Sequence, residues 1–234
     1  MKHTLLIKDW LSSFLSLLFP HCCVVCGRPL AKGEECICTV CNINLPRTNY
    51  HLRKDNPVER LFWGQIPLER ATSFFFYEKG SDFRLILHRL KYGGQKEIGA
   101  IMGRYMAAEL LSSHFFQGID VIIPIPLHKK KQQIRGYNQS EWIARGVSAV
   151  TGIPIDTESI LRKKNTETQT RKSVFERRDN VEGIFELQHP ETLAGKHILI
   201  VDDVLTTGST TLACASCLVN VEGIRISILT LATA

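Results

Sequence analysis

The chain has 234 residues, 44% of them hydrophobic and 22% charged, an ordinary globular composition that excludes a wholly disordered or fibrous protein and suits one sizeable domain, or one domain with a small module. The formal net charge of +6 is uneven: twelve Lys/Arg meet five Asp/Glu between His128 and Arg178, a balance of +7 that leaves −1 for the remainder. A local basic excess suggests an anionic ligand such as phosphate or nucleic acid; a solvated basic loop is the plainer alternative.

Residues 1–20 open with a basic start and apolar side chains, so a signal peptide has to be weighed. Lys8 and Asp9 interrupt the apolar run, no small-residue cleavage site precedes the cysteines, and Leu6, Trp10, Phe14, Leu17 and Leu18 recur at helical spacing. The expectation is an amphipathic leading helix that packs on the protein and ends at Pro20. There is no stretch of about twenty uncharged apolar residues, so no integral membrane span is expected.

Residues 21–46 form a cysteine-rich module. Cys23-Val-Val-Cys26 and Cys38-Thr-Val-Cys41 are two CxxC turns separated by eleven residues. Each turn aims two thiolates at one point, and two turns supply the tetrahedral sulfur set of a closed structural Zn2+ site. A module this small, with few apolar residues, needs a metal to fold. Cys22 and Cys36 lie in the same stretch, and Cys36-Ile-Cys38 is a CxC, so a shifted ligand set stays open. Clustered cysteines point to a reducing compartment, hence a cytoplasmic protein. Residues 47–70, polar and carrying Pro57 and Pro67, read as a linker.

Residues 71–234 alternate strand and helix signals. ATSFFFY from Ala71 predicts a strand, and SDFRLILHRLKY a helix capped by Ser81 or Asp82 and stopped by Gly93 and Gly94. A second helix runs from Glu97 to Leu111, a short buried strand starts at Asp120, and another helix spans Asn138 to Val150. An edge strand falls within 153–161, a central strand starts at Lys196, a helix covers Ser209 to Val219, and IRISILTLAT is the last strand. This alternation, with continuously apolar strands, predicts an α/β fold with a mostly parallel sheet covered on both faces. Cys214 and Cys217 sit on the Ser209 helix and are expected in the core.

The sharpest segment is HILIVDDVLTTGSTT, from His197 to Thr211. An apolar strand runs into Asp202 and Asp203, then Thr206, Thr207, Gly208, Ser209 and Thr210 lead into a helix. Ligands of open α/β sheets bind at the carboxyl ends of strands. A Thr/Ser/Gly turn at a helix start offers free N–H groups and the positive end of the helix dipole, which suit a phosphate. Two adjacent carboxylates are placed to accept hydrogen bonds from sugar hydroxyls. A helix N-cap explains one acid, not two acids and five small polar residues. The segment lacks both GxxxxGK[ST] and GxGxxG, which disfavours triphosphate and dinucleotide binding of those kinds.

This segment resembles the 5-phosphoribosyl-1-pyrophosphate (PRPP) motif of type I phosphoribosyltransferases. The resemblance implies that Asp202 and Asp203 hold the ribose hydroxyls and act as the catalytic pair. It also implies that Thr206, Thr207, Gly208, Ser209 and Thr210 hold the 5′-phosphate of PRPP, which carries Mg2+.

The basic run after Pro126 contains His128, Lys129, Lys131 and Arg135. Cations after a second strand are what a pyrophosphate group needs, and they are read as a basic loop. Beyond Arg162 lies a long charged excursion holding Thr166, Gln169, Arg177 and Asn180, expected to be a lid that closes over ligand and excludes water.

In this order HxxK, RGYNQ, TxxQ, ERRDNVxGxF and IVDDVLTTGST, with KYGG at Lys91 and the paired CxxC, resemble the ComF family. The resemblance implies a zinc ribbon joined to a type I phosphoribosyltransferase-like, Rossmann-like domain. It further implies a role in natural competence, the handling of incoming single-stranded DNA in the cytoplasm, alongside competence or recombination proteins. Tyr137, Trp142 and Phe175 are the aromatic side chains that could stack on bases. The alternative is a nucleobase phosphoribosyltransferase of nucleotide salvage, with an unidentified acceptor.

Overall fold

The computed structural model describes residues 21–163 and 183–234, and the first helix among them, α1 (Thr39–Ile43), carries Cys41 of the cysteine module. The leading helix and the lid residues Thr166, Gln169, Arg177 and Asn180 lie outside the described residues.

Four strands form a parallel sheet: β1 (Leu68–Phe76), β2 (Val121–Pro124), β5 (His197–Leu205) and β6 (Arg225–Thr233), in the order β1-β6-β5-β2. The central strands are apolar on both faces because both faces are covered. Ile198, Ile200, Ile226 and Ile228 point to one core; Leu199, Val201, Leu229 and Leu231 point to the other.

On the second of these faces pack α3 (Arg84–Tyr92), α4 (Glu97–Leu111) and α6 (Gln139–Thr151). On the first lie α2 (Pro57–Arg60), α7 (Ser209–Ser216) and a two-stranded antiparallel ribbon of β3 (Ile160–Arg162) and β4 (Phe185–Leu187). Helix α4 follows the predicted bounds, and α6 lies one residue further along than predicted. Asn138 caps α6 by accepting from the Ser140 amide, and left-handed Gly152 ends it.

Several expectations change. The basic loop is mostly a helix: Lys129, Lys131 and Arg135 lie on α5 (Lys129–Arg135), which His128 caps by accepting the Lys130 amide. Lys, Gln and Arg are good helix formers, and Gly136 closes the helix at φ 78. Helix α3 starts at Arg84, not at Ser81 or Asp82, because residues 81–86 first turn through i→i+3 bonds. In 153–161 only Ile155 meets the parallel sheet, beside Ile122, while β3 leaves it to pair with β4. Strand β5 also runs past the acid pair, because Val204 and Leu205 still pair with β6.

Residues 47–70, expected as a linker, are packed. The Thr48 amide donates to Phe74 O, and Asn56 and Glu59 make a capping box at α2. Phe62 is fully buried beneath the first face. Polarity misled here because the polar side chains are spent on caps and turns while Val58, Phe62 and Ile66 carry the burial.

Candidate functional site

Beyond β2 the chain passes through α6 to Ile155, outside β2; beyond β5 it passes through α7 to β6, on the other side. The β2/β5 boundary is therefore the topological switch point, where open α/β sheets leave a crevice at the carboxyl ends of their strands. Strand β2 ends at Pro124 opposite Val201, so Asp202 and Asp203 are the first β5 residues without a β2 neighbour.

Neighbouring elements hold the two carboxylates in different ways. Asp202 Oδ1 accepts from Ser140 Oγ at 2.9 Å and from the Asp203 amide at 2.8 Å. Asp203 is buried and pairs with Lys91 Nζ at 3.1 Å. Burial, then the adjacent Asp203 charge, push Asp202 up to about 7 against the pull of these hydrogen bonds and of Lys91. An acid poised in this way can hold a proton or a hydroxyl donor near neutral pH. Arg162 of β3, stacked over Phe185 at 5.2 Å, also lies within electrostatic reach of Asp202.

A small open cavity is lined by Asp202, Val204 and residues 205–211. Its floor is the start of α7, whose first amides have no partner within the helix. The Thr207 and Ser209 hydroxyls bond each other at 2.8 Å, and Thr206, Thr207 and Thr210 are exposed. Gly208, at φ 74, occupies the cap position. A Cβ there would be strained and would meet the Phe62 ring at 3.3 Å, so the segment around α2 braces the loop from behind.

The structure thus brings Asp202 together with Thr206, Thr207, Gly208, Ser209 and Thr210, while Asp203 turns to Lys91. None of His128, Lys129, Lys131 or Arg135 lines that cavity. Arg135 reaches its edge indirectly by donating to Gln139 at 2.7 Å, next to Ser140. Lys91 and Ser140 are the site residues that sequence reasoning left without a role, although KYGG contains the first and RGYNQ ends just before the second.

The cysteine module closes around one point. Cys23, Cys26, Cys38 and Cys41 place all four sulfurs within 4.8 Å of one another. Bonds of about 2.3 Å to a tetrahedral zinc put sulfurs roughly 3.8 Å apart, and Cys26 and Cys38 are separated by 3.7 Å. The Cys38 amide donates to Cys23 Sγ at 3.3 Å and the Cys41 amide to Cys38 Sγ at 3.5 Å. Burial pushes the Cys23 thiol up, but donors around it, chiefly the Cys26 and Cys38 amides, bring it down to about 7. The donor set fits a structural zinc. Cys36 lies outside the cluster, buried, its thiol pushed up to about 12 chiefly by that burial, and Cys22 is exposed. Cys214 is buried in the core and Cys217 partly so, as expected.

Among the described residues no helix is long and apolar enough to cross a membrane. The family described as "Phosphoribosyl transferase domain" matches residues 138–234. The "DNA utilization protein YhgH" of Escherichia coli O157:H7 is 33% identical over 209 residues, covering 83% of this chain and 88% of that protein. The "Competence protein F" of Haemophilus influenzae is 32% identical over 130 residues, 54% of this chain and 57% of the relative. The "Competence protein ComFC" of Bacillus subtilis is 25% identical over 210 residues, 88% and 75% respectively. With its parallel sheet, phosphoribosyl transferase domain and four-cysteine cluster, the chain belongs to the ComF family, a zinc ribbon joined to a type I phosphoribosyltransferase-like fold.

Proposed function

We propose that this chain binds PRPP with Mg2+ in the crevice at the β2/β5 boundary. The 5′-phosphate rests on Thr206, Thr207, Gly208, Ser209 and Thr210, and the ribose hydroxyls on Asp202 and Asp203. The pyrophosphate faces His128 and the cations of Lys129, Lys131 and Arg135. The observation that carries this reading is the carboxylate pair, held by Ser140 and Lys91, directly before a hydroxyl-rich helix start.

The oxygen donors present suit Mg2+, which binds through one or two carboxylates and substrate phosphates. Asp202 and Asp203 are the residues that would hold it on this chain. When bound it neutralises charge on a departing pyrophosphate. The carboxylates stabilise positive character at the sugar, and the cations of α5 orient the leaving group. Zn2+ on Cys23, Cys26, Cys38 and Cys41 is structural, since four thiolates leave no open position.

The biological setting proposed is the cytoplasmic handling of single-stranded DNA during competence, with PRPP as substrate or regulator and competence proteins as partners. The names of the relatives support it. Calorimetric titration with Mg-PRPP tests the ligand. The wild-type chain should bind, and the Asp202→Asn/Asp203→Asn double variant should not. Equal binding by both refutes the assignment.

A further inference from the structure

Helix α4 touches both the cysteine module and α6. Toward the module, Arg104 pairs with Glu35, and Glu109 pairs with Arg47, which donates to the backbone and side chain of Asn42 on α1. Partly exposed pairs of this kind contribute little by themselves. The larger tie is apolar: Cys36 and Ile37 of the module share one buried core with Met102 and Met106 of α4, and Tyr105 packs against it.

Toward α6 the contact is backbone on backbone. A Cβ at Gly103 would lie 2.3 Å from Ile143 O, and one at Gly146 would lie 2.1 Å from Ala100 O and 2.9 Å from the Arg104 amide nitrogen. At Gly99 a Cβ would meet Trp142 Cβ at 3.0 Å. Main chain cannot rotate aside as a side chain can, so a shift of α4 carries α6 with it.

The start of α6 in turn steadies both acids. Ser140 donates to Asp202 at 2.9 Å. Tyr137, buried just before the Asn138 cap, donates through its hydroxyl to Leu90 O at 2.5 Å, and the next residue, Lys91, pairs with Asp203. Of the aromatic side chains named as base-stacking groups, Tyr137 and Trp142 thus take part in this packing, and Phe175 lies outside the described residues.

We propose that zinc on Cys23, Cys26, Cys38 and Cys41 positions the acid pair through α4 and α6, with Arg104 a positioning residue on that route, so that zinc and PRPP each raise the chain's affinity for the other. The proposal rests on the PRPP reading above and adds what sets the affinity of that site. Two states differ. With zinc the module is folded and holds α4 against α6; without it a module of this size opens, and α4 loses the packing on that side. PRPP needs Ser140 and Lys91 in place, so it favours the first state. Linkage makes the preference mutual: the factor by which zinc tightens PRPP equals the factor by which PRPP tightens zinc.

The test is equilibrium competition for zinc between the full chain and a chromogenic chelator, with and without saturating Mg-PRPP. Mg-PRPP should raise the zinc affinity of wild type about five-fold or more. It should leave Asp202→Asn/Asp203→Asn unchanged, which excludes an effect of PRPP on free metal. Arg104→Met should keep its zinc and shrink the factor about two-fold, and Arg104→Lys should restore it. If wild type binds Mg-PRPP but holds zinc equally well with and without it, the coupling is refuted while the PRPP reading stands. If wild type binds no Mg-PRPP, both fall. Hydrogen exchange of the metal-free chain locates the effect: it should quicken in the module and across residues 139–146 and stay slow in β5 and β6. Exchange that quickens equally in β5 and β6 is global unfolding and overturns the proposed route.

Discussion

Gly146→Ala probes the contact that sets α6, and with it Ser140, against the sheet. Helices α4 and α6 cross so closely that a Cβ at Gly146 would lie 2.1 Å from Ala100 O, and one at Gly103 would lie 2.3 Å from Ile143 O. Both obstacles are backbone, which cannot swing aside, so the helices must part by roughly 1 Å to regain van der Waals distance. Alanine gains about 1 kcal/mol in helix propensity over glycine. Overpacking costs about 1–3 kcal/mol and sometimes more, and a backbone clash belongs at the high end. The net expectation is a loss of about 2 kcal/mol, or a fall in Tm of roughly 4–8 °C for a chain of this size. The displacement also stretches the 2.9 Å bond from Ser140 to Asp202, so affinity for Mg-PRPP should drop. Gly103→Ala should behave alike, and the double variant should cost less than the sum because one separation relieves both clashes. Thermal unfolding followed by circular dichroism, with calorimetry alongside, measures these effects. An unchanged or raised Tm in Gly146→Ala would refute the reasoning.

Purified protein should carry one zinc per chain, absent from Cys38→Ser. Removing it should lower the Tm of the whole chain, because the module shares its core with Phe74 and Phe75, clamps α4 through Glu35 to Arg104, and through Asn42 holds Arg47, which pairs with Glu109 of α4 at 2.6 Å; a metal-free chain with the same Tm contradicts this. Asp202 is held up near 7, above its ordinary 3.8, so its contribution to stability is full below about pH 4 and is lost as pH rises toward about 7. Lys91→Met, by removing a nearby cation, should move that decline to higher pH, and Asp203→Asn should move it lower; stability measured against pH would count against this if Lys91→Met left the decline in place.

The motif from Ile200 to Thr210 and the paired CxxC turns were legible because their chemistry is local. Two carboxylates followed by Thr-Thr-Gly-Ser-Thr need only a strand end and a helix start to acquire meaning. The same holds for α4 and α6, whose apolar spacing placed them to within a residue. The zinc set was ambiguous at Cys22 and Cys36. Geometry separates them, because Cys23, Cys26, Cys38 and Cys41 bring their sulfurs within 4.8 Å of one another while Cys22 and Cys36 lie outside that group. The basic run was misread as a loop, because a short polar helix without a buried face leaves no periodic signal.

Sequence by itself determined the α/β class, the acid pair with its phosphate-type turn, and the sulfur module, since each is written in neighbouring residues. Only the tertiary structure decided what supports them. Lys91 comes to Asp203 across 112 positions of chain and Ser140 to Asp202 across 62, and Phe62 backs Gly208 from a stretch that reads as linker. Such partners are chosen by sheet order and helix crossing, which depend on packing between distant segments and leave no local trace in the order of residues.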